Sequence, residues 1–189
     1  MPVVARGMNI AVIGRGNVGG GLARLWRASG HDVQEIGRNG GDVSDADAVL
    51  VAVPSGAITD ALAKVSGLDG KVAIDATNHF RGERPDFPSL AHQVKSITGG
   101  PVAKAFNLNF AAIYDEIAKQ RARPSCLYCA EEQARELTEQ LIRDAGYEPV
   151  DAGGLDSARA LEDALPVLFG VSRAGGGPVY YRFGKPGEL

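Results

Sequence analysis

Two cysteines and three histidines are all that 189 residues offer of the softer metal ligands. That scarcity excludes a disulfide scaffold, and Cys126-x-x-Cys129 has no second pair with which to close a zinc site. A redox role for the pair fails on other grounds. Cys126-Leu127-Tyr128-Cys129 reads as a strand, where positions three apart face opposite sides, whereas a thioredoxin-like pair opens a helix. His31, His79 and His92 are scattered and signal no metal site, and no Ser-His-Asp arrangement is evident. No apolar run approaches the length of a membrane span. The net charge of −3 gives no general attraction to nucleic acid or to an anionic membrane, so neither is expected as a partner. Met1 to Arg6 show no secretory pattern, and a cytoplasmic location is expected.

What the chain does have is glycine, 25 of them, gathered at turns. The length suits one domain, 1–189. Met8 to Ile13 reads as a buried parallel strand, and Val18 to Ser29 as a helix with Val18, Leu22, Leu25 and Trp26 on one face. Between them stands Gly14-Arg15-Gly16-Asn17-Val18-Gly19. In that setting Gly14 permits a tight turn, Gly16 lets backbone approach a pyrophosphate, and Gly19 lets helix and strand pack closely. The helix N-terminus presents free N–H groups and partial positive charge to phosphates. The pattern points to a dinucleotide.

Strands and helices alternate along the rest of the chain, which predicts an α/β protein of the Rossmann type. Its sheet would be doubly wound and mostly parallel, with helices on both faces. Strands are expected at 32–36, 49–53, 71–75, 102–106, 126–129 and 148–151. Helices are expected at 57–65, 89–97, 111–121, 131–145 and 156–169, the last bending or stopping at Pro166. A short C-terminal tail follows, in which Val179, Tyr181 and Phe183 alternate. Only Gly37 to Ala48 separate the second strand from the third apolar run. A full dinucleotide fold places a helix and another strand there, so the sheet is expected to be shortened after its second strand. Asp42 to Asp47 has room for a helical turn or two at most. The second strand would then be an edge. That edge and the apolar tail together predict a homodimer.

The second strand ends Glu35-Ile36-Gly37-Arg38-Asn39. Arg38 is placed to pair with a 2′-phosphate, and Glu35 lies inside the strand rather than at its tip. NADP is therefore expected over NAD. Arg15, inside the glycine turn, is either a second phosphate contact or an exposed side chain. The remaining strand ends are Val53-Pro54-Ser55, Ala76-Thr77-Asn78-His79 and Lys104-Ala105-Phe106-Asn107. They carry small, apolar and amide groups suited to holding a nicotinamide ring against a flat partner. Tyr114 and Lys119 lack the Tyr-x-x-x-Lys spacing of short-chain dehydrogenases.

Five segments together resemble one family. They are IAVIGRGNVGGGLA (10–23), Val49 to Pro54, KVAIDATN (71–78), GPVAKAFN (100–107) and IRDAGYEPVDAG (142–153). The chain is similar there to the NADP-dependent oxidoreductases that use the deazaflavin coenzyme F-420. The resemblance implies hydride transfer between NADPH and a deazaflavin or flavin acceptor, by positioning and without an essential acid or base. Carried over by position, Gly14, Gly16, Asn17 and Val18 cradle phosphates and Arg38 holds the 2′-phosphate. Val53, Pro54, Asn78, Ala105 and Asn107 surround the nicotinamide and the acceptor. Gly37, on the phosphate side, stands where the family often has a serine. A reductase of a small imine or carbonyl compound, and a non-catalytic dinucleotide-binding module, are the alternatives.

Overall fold

The N-terminal apolar run forms strand β1 (Asn9–Ile13), and its alternate residues feed two separate cores. In the computed structural model, which describes residues 7–80, 82–83 and 85–187, Ile10 and Val12 face one cluster and Ala11 and Ile13 the other. Met1 to Arg6, on which the expected location drew, lie outside the described residues. Further strands are β2 (Asp32–Ile36), β3 (Gly41–Asp42), β4 (Ala48–Val51), β5 (Val65–Ser66), β6 (Val72–Asp75), β7 (Val102–Lys104), β8 (Ser125–Ala130) and β9 (Glu148–Asp151). Seven of them form one sheet in the order β2-β1-β4-β6-β7-β8-β9. All neighbours are parallel except β7 and β8, which pair antiparallel through Ala103 with Ala130 and Lys104 with Cys129.

Burial on both faces explains why β4 is an unbroken apolar run. Helices α1 (Asn17–Ala28) and α4 (Glu132–Asp144) cover one face. Leu22, Trp26, Leu141 and Ile142 are buried there, and Trp26 Nε1 donates to the Leu141 carbonyl at 2.8 Å. Helices α2 (Ile58–Leu62), α3 (Leu90–Thr98) and α5 (Ala158–Asp163) cover the other face with Ile58, Leu62, Val94 and Leu161. The chain is thus a Rossmann-type α/β fold with helices on both faces.

The interval after β2 is as short as its length suggests, but it holds no helical turn. Residues 41–42 instead pair with 65–66 as a separate two-stranded ribbon. Asp42 closes the ribbon by accepting hydrogen bonds from the Ser44 and Ser66 hydroxyls at 2.7 and 2.9 Å, which hold its carboxyl below the usual range. β2 is left at the sheet edge with β1 as its single neighbour in that sheet.

Other expectations change. The segment 111–121 is not one α-helix. Ala111–Lys119 is a tighter 3-10 stretch broken at Ile113 (φ −119°, ψ 15°). The last predicted helix is two, α5 and α6 (Leu165–Ala174), and the break falls at Ala164. Pro166 sits in the first turn of α6, where its missing N–H costs nothing. The tail packs on its own chain. Ser125 N donates to the Tyr181 carbonyl at 2.8 Å, Leu127 N to the Tyr181 hydroxyl at 3.1 Å, and the Tyr180 hydroxyl to the Ile113 carbonyl.

One charged cluster lies wholly inside the molecule. Lys104, with no exposed side-chain surface, donates to Asp75 Oδ2 at 2.7 Å and the Thr77 carbonyl at 2.8 Å, and lies 3.0 Å from Glu162 Oε1. Asp75 also accepts from Thr77 N, and Glu162 from Leu90 N. One ammonium thus joins β6, β7 and α5, and through Glu162 the start of α3. Lys104→Met removes the cation from between two buried carboxylates. The variant is expected to lose about 3–5 kcal/mol of unfolding free energy in a urea titration.

Candidate dinucleotide site and the cleft beside it

The chain leaves β1 for β2 on one side and returns to β4 on the other, so a crevice opens at the carboxyl ends of β1 and β4. The glycine turn lies there. Gly14 has φ +108°, and a Cβ on it would stand 2.8 Å from the Ala52 carbonyl carbon. A Cβ on Gly19 would meet the Gly14 carbonyl group and stand 3.0 Å from Val12 Cγ1. The protein's own packing therefore demands glycine at both positions. Gly16 is different: its φ is −76°, and a Cβ there would meet nothing within 4 Å. Space above Gly16 is open, on the side to which α1 presents its N-terminus. No side chain caps that helix end and no acidic residue occupies its first turn. Its N–H groups are placed to receive an anion.

The tip of β2 adjoins this turn, and Gly14 N donates to the Ile36 carbonyl at 3.1 Å. Arg15 and Arg38 are both exposed there. The Arg15 guanidinium lies over Gly37, and a Cβ at that residue would come within 2.7 Å of Cζ and 2.8 Å of Nε. Lys64 Nζ adds a third cation, donating to the Arg38 carbonyl at 3.4 Å. Glu35 is engaged by Arg27, which donates to it at 2.8 Å. Neither Arg15 nor Arg38 forms an ion pair among the described residues. Lys64 was not anticipated, and nothing in the linear sequence connects it to residue 38.

Beyond the turn a cleft of about 310 Å³ opens over the ends of β6 and β7. Its floor holds a reciprocal pair of amides. Asn78 Nδ2 donates to the Asn107 carbonyl at 2.7 Å, and Asn107 Nδ2 donates to Asn78 Oδ1 and the Leu161 carbonyl, both at 3.1 Å. Asn107 Oδ1 is buried without a partner. The residue before it, Phe106, adopts φ +64°, a strained backbone for a non-glycine residue. Its ring is fixed by edge contacts with Trp26 (5.9 Å) and Tyr147 (6.4 Å).

Asn17, Val18, Asn78 and Asn107, four of the expected site residues, line this cleft. Val53 and Pro54 stand at the end of β4, where Val53 Cγ1 would be 3.1 Å from a Cβ on Gly14. Ala105 does not belong to the lining. It is completely buried in the core cluster that also holds Ala103 and Phe106. Three phenylalanines supply what the sequence reading lacked. Phe169 on α6 meets Phe80 at 6.2 Å and Phe110 at 5.8 Å, and all three line the cleft with Leu165. Phe80 is 64% exposed and Phe169 38%. Among the described residues the cleft lining contains no Asp, Glu, His, Cys, Lys, Arg or Tyr. Nearby Tyr114 is buried against Gly21, and burial pushes its phenol well above the ordinary value.

The two cysteines lie on opposite faces of β8, Cys126 in one core and Cys129 in the other. Burial pushes the Cys126 thiol up to about 12 and the Cys129 thiol up to about 11. No three His, Cys, Asp or Glu side chains among the described residues converge to hold a metal ion. No helix among them is long and apolar enough to cross a membrane.

No family model and no curated protein sequence matches the chain. Solved structures do. A presumed F-420-dependent NADP-reductase from Arthrobacter sp. FB24 superposes with a TM-score of 0.78 at 22% identity, over 95% of this chain and 100% of that one. An imine reductase from Pseudomonas sp. gives 0.68 at 15% identity, over 90% and 64%. A reductive aminase from Aspergillus terreus, in complex with NADPH and ethyl levulinate, gives 0.65 at 14% identity, over 90% and 63%. At these identities the likeness shows the Rossmann-type fold. The chain spans less than two thirds of the imine reductase and of the aminase.

The glycines separate packing from binding experimentally. Gly19→Val is expected to unfold the protein or lower its melting temperature sharply. Gly16→Val is expected to melt as the parent does and to lose dinucleotide affinity, read by calorimetric titration. Both thiols should resist a thiol-reactive probe at pH 8 in the folded protein and react promptly in denaturant, followed by mass spectrometry.

Proposed function

We propose that the chain is an NADP-dependent oxidoreductase that passes a hydride between a bound nicotinamide and a flat deazaflavin or flavin ring. The observation that carries this reading is the cleft beside the glycine turn. It is walled by Phe80, Phe110 and Phe169 and floored by Asn78 and Asn107, and the titratable side chains His79, Glu162, Asp163 and Arg173 line a separate cavity bounded by the same Phe80 and Phe169. Aromatic walls favour a stacked ring system. A wall without an acid suits a transfer that needs alignment more than proton donation.

The residues present fit the cofactor. The open space over Gly16 would take the pyrophosphate against the first N–H groups of α1. Arg38 would hold the 2′-phosphate, and the unpartnered Asn107 Oδ1 would accept a ligand N–H. Bound NADPH would supply the hydride. The protein's own part is to hold two rings face to face and to keep water away. The strained turn at Phe106 and the amide pair across β6 and β7 stiffen the floor on which they rest. The sequence segments shared with the F-420-using oxidoreductases, and the likeness to the Arthrobacter protein over its full length, support the same reading.

A second reading, reduction of a small imine, draws on the likeness to an imine reductase and to a reductive aminase, the latter solved with NADPH. The cleft lining, which holds no acid among its described residues, favours the first.

The test begins with titration of the purified chain with NADPH and NADH, NADPH being expected to bind more tightly. Arg38→Ala should weaken NADPH about tenfold, the loss of one charge-assisted hydrogen bond, and leave NADH nearly unchanged. Consumption of NADPH is then followed with an oxidised deazaflavin, a flavin and a cyclic imine. Turnover with the ring acceptors supports the proposal. Turnover with the imine alone transfers the assignment to the second reading, and absence of nicotinamide binding removes both.

A further inference from the structure

The structure assigns Arg15 a role beyond the cradle in which it sits. We infer that it is a second ligand of the cofactor's 2′-phosphate and that, with Arg38, it sets the preference for the phosphorylated dinucleotide. This rests on reading the site as an NADP site.

Three observations converge. The Arg15 side chain turns toward the tip of β2, where its guanidinium covers Gly37, the residue next to Arg38. It does so without a carboxylate to draw it there, since no ion pair to Arg15 exists among the described residues. Glu35, the acidic residue next to the last position of the strand, is taken by Arg27 at 2.8 Å. Arg15, Arg38 and Lys64 thus gather positive charge at one strand end with no resident anion. Such an arrangement suits a dianionic phosphate monoester, which a planar guanidinium grips with two parallel hydrogen bonds.

Gly37 gains a reason from the same geometry. Its backbone is not in the left-handed region, so conformation does not require glycine. A side chain at 37 would press on Cζ and Nε of Arg15, at 2.7 and 2.8 Å, and displace the guanidinium from its place over Gly37. The absent side chain at 37 is what lets a residue of the glycine turn serve the strand's tip. The pyrophosphate would lie at the N-terminus of α1, on the Gly16 side of the turn. That is a different place from the one over Gly37 toward which the Arg15 side chain is directed.

The experiment measures Kd on the full chain for four probes: NADPH, NADH, adenosine 2′,5′-bisphosphate and ADP. Arg15 is exposed, so Arg15→Ala is expected to fold as the parent does, checked by circular dichroism and melting temperature. The variant should bind NADPH and the 2′,5′-bisphosphate about tenfold more weakly, with NADH and ADP changed by less than about twofold. Arg15→Lys, a point charge without the fork, should fall between parent and alanine variant. Gly37→Val should reproduce the selective loss by pushing Arg15 aside. If Arg15→Ala keeps the parent's preference for NADPH, or weakens NADPH and NADH alike, the inference is overturned while the proposed function stands. If the parent binds neither nucleotide, the proposed function falls and takes this inference with it.

Discussion

A lysine with no path to water holds the candidate site together. Lys104 reaches Asp75, Thr77 and Glu162, and those groups belong to β6, the loop after it and α5, the first two next in sequence to residues that line the cleft. Burying three charges is expensive, and an apolar replacement of equal shape is often as stable. Direction is what an ion cluster offers that grease does not. Each carboxylate takes a backbone N–H as well as the ammonium, which fixes where the loop after β6 leaves the sheet and where α3 begins. Asn78 follows Thr77 by one residue and Asn107 follows Lys104 by three, so the ion cluster anchors the backbone from which both amides project.

The division of labour among glycines follows from the same economy of space. At Gly14 and Gly19 the crowding comes from the protein itself, through the carbonyls of Ala52 and Gly14. At Gly16 the surroundings are open, so whatever requires glycine there must come from outside the chain. Gly37 is a fourth case, in which a flexible arginine occupies the place of a side chain. One residue type thus serves as hinge, contact, cradle and vacant seat within two neighbouring turns.

Much of this was legible in the amino-acid order, for local reasons. The glycine turn sits between an unbroken apolar run and a helical pattern, which is enough to place Gly14, Gly16 and Gly19. The shortness of residues 37–47 announced that β2 would be an edge. Alternation along β8 foretold that its two cysteines would part company. Other features depend on pairing across long distances and left no local mark. Nothing in residues 125–130 says that β8 runs antiparallel to β7. A break at Ala164 reflects a proline that tolerates only the first turn of a new helix, and the sequence reading put it two residues late. The aromatic wall joins Phe80, Phe110 and Phe169 from three separate elements, and the reach of Arg15 to Gly37 joins two turns that only the parallel pairing of β1 and β2 brings together. Ala105 lies in the core and outside the cleft lining, which a motif cannot announce, since it says only which segment nears a ligand.

The sheet is also a partition, and β8 carries a sulfur on each side of it. The two compartments share strands but hold separate sets of buried side chains. Labelling kinetics at the two sulfurs would report the opening of each compartment separately. Equal rates would mean that the molecule yields as one cooperative body, and unequal rates would reveal which half gives way first. The pair that sequence arithmetic discarded as chemistry therefore serves as an internal gauge of how the architecture comes apart.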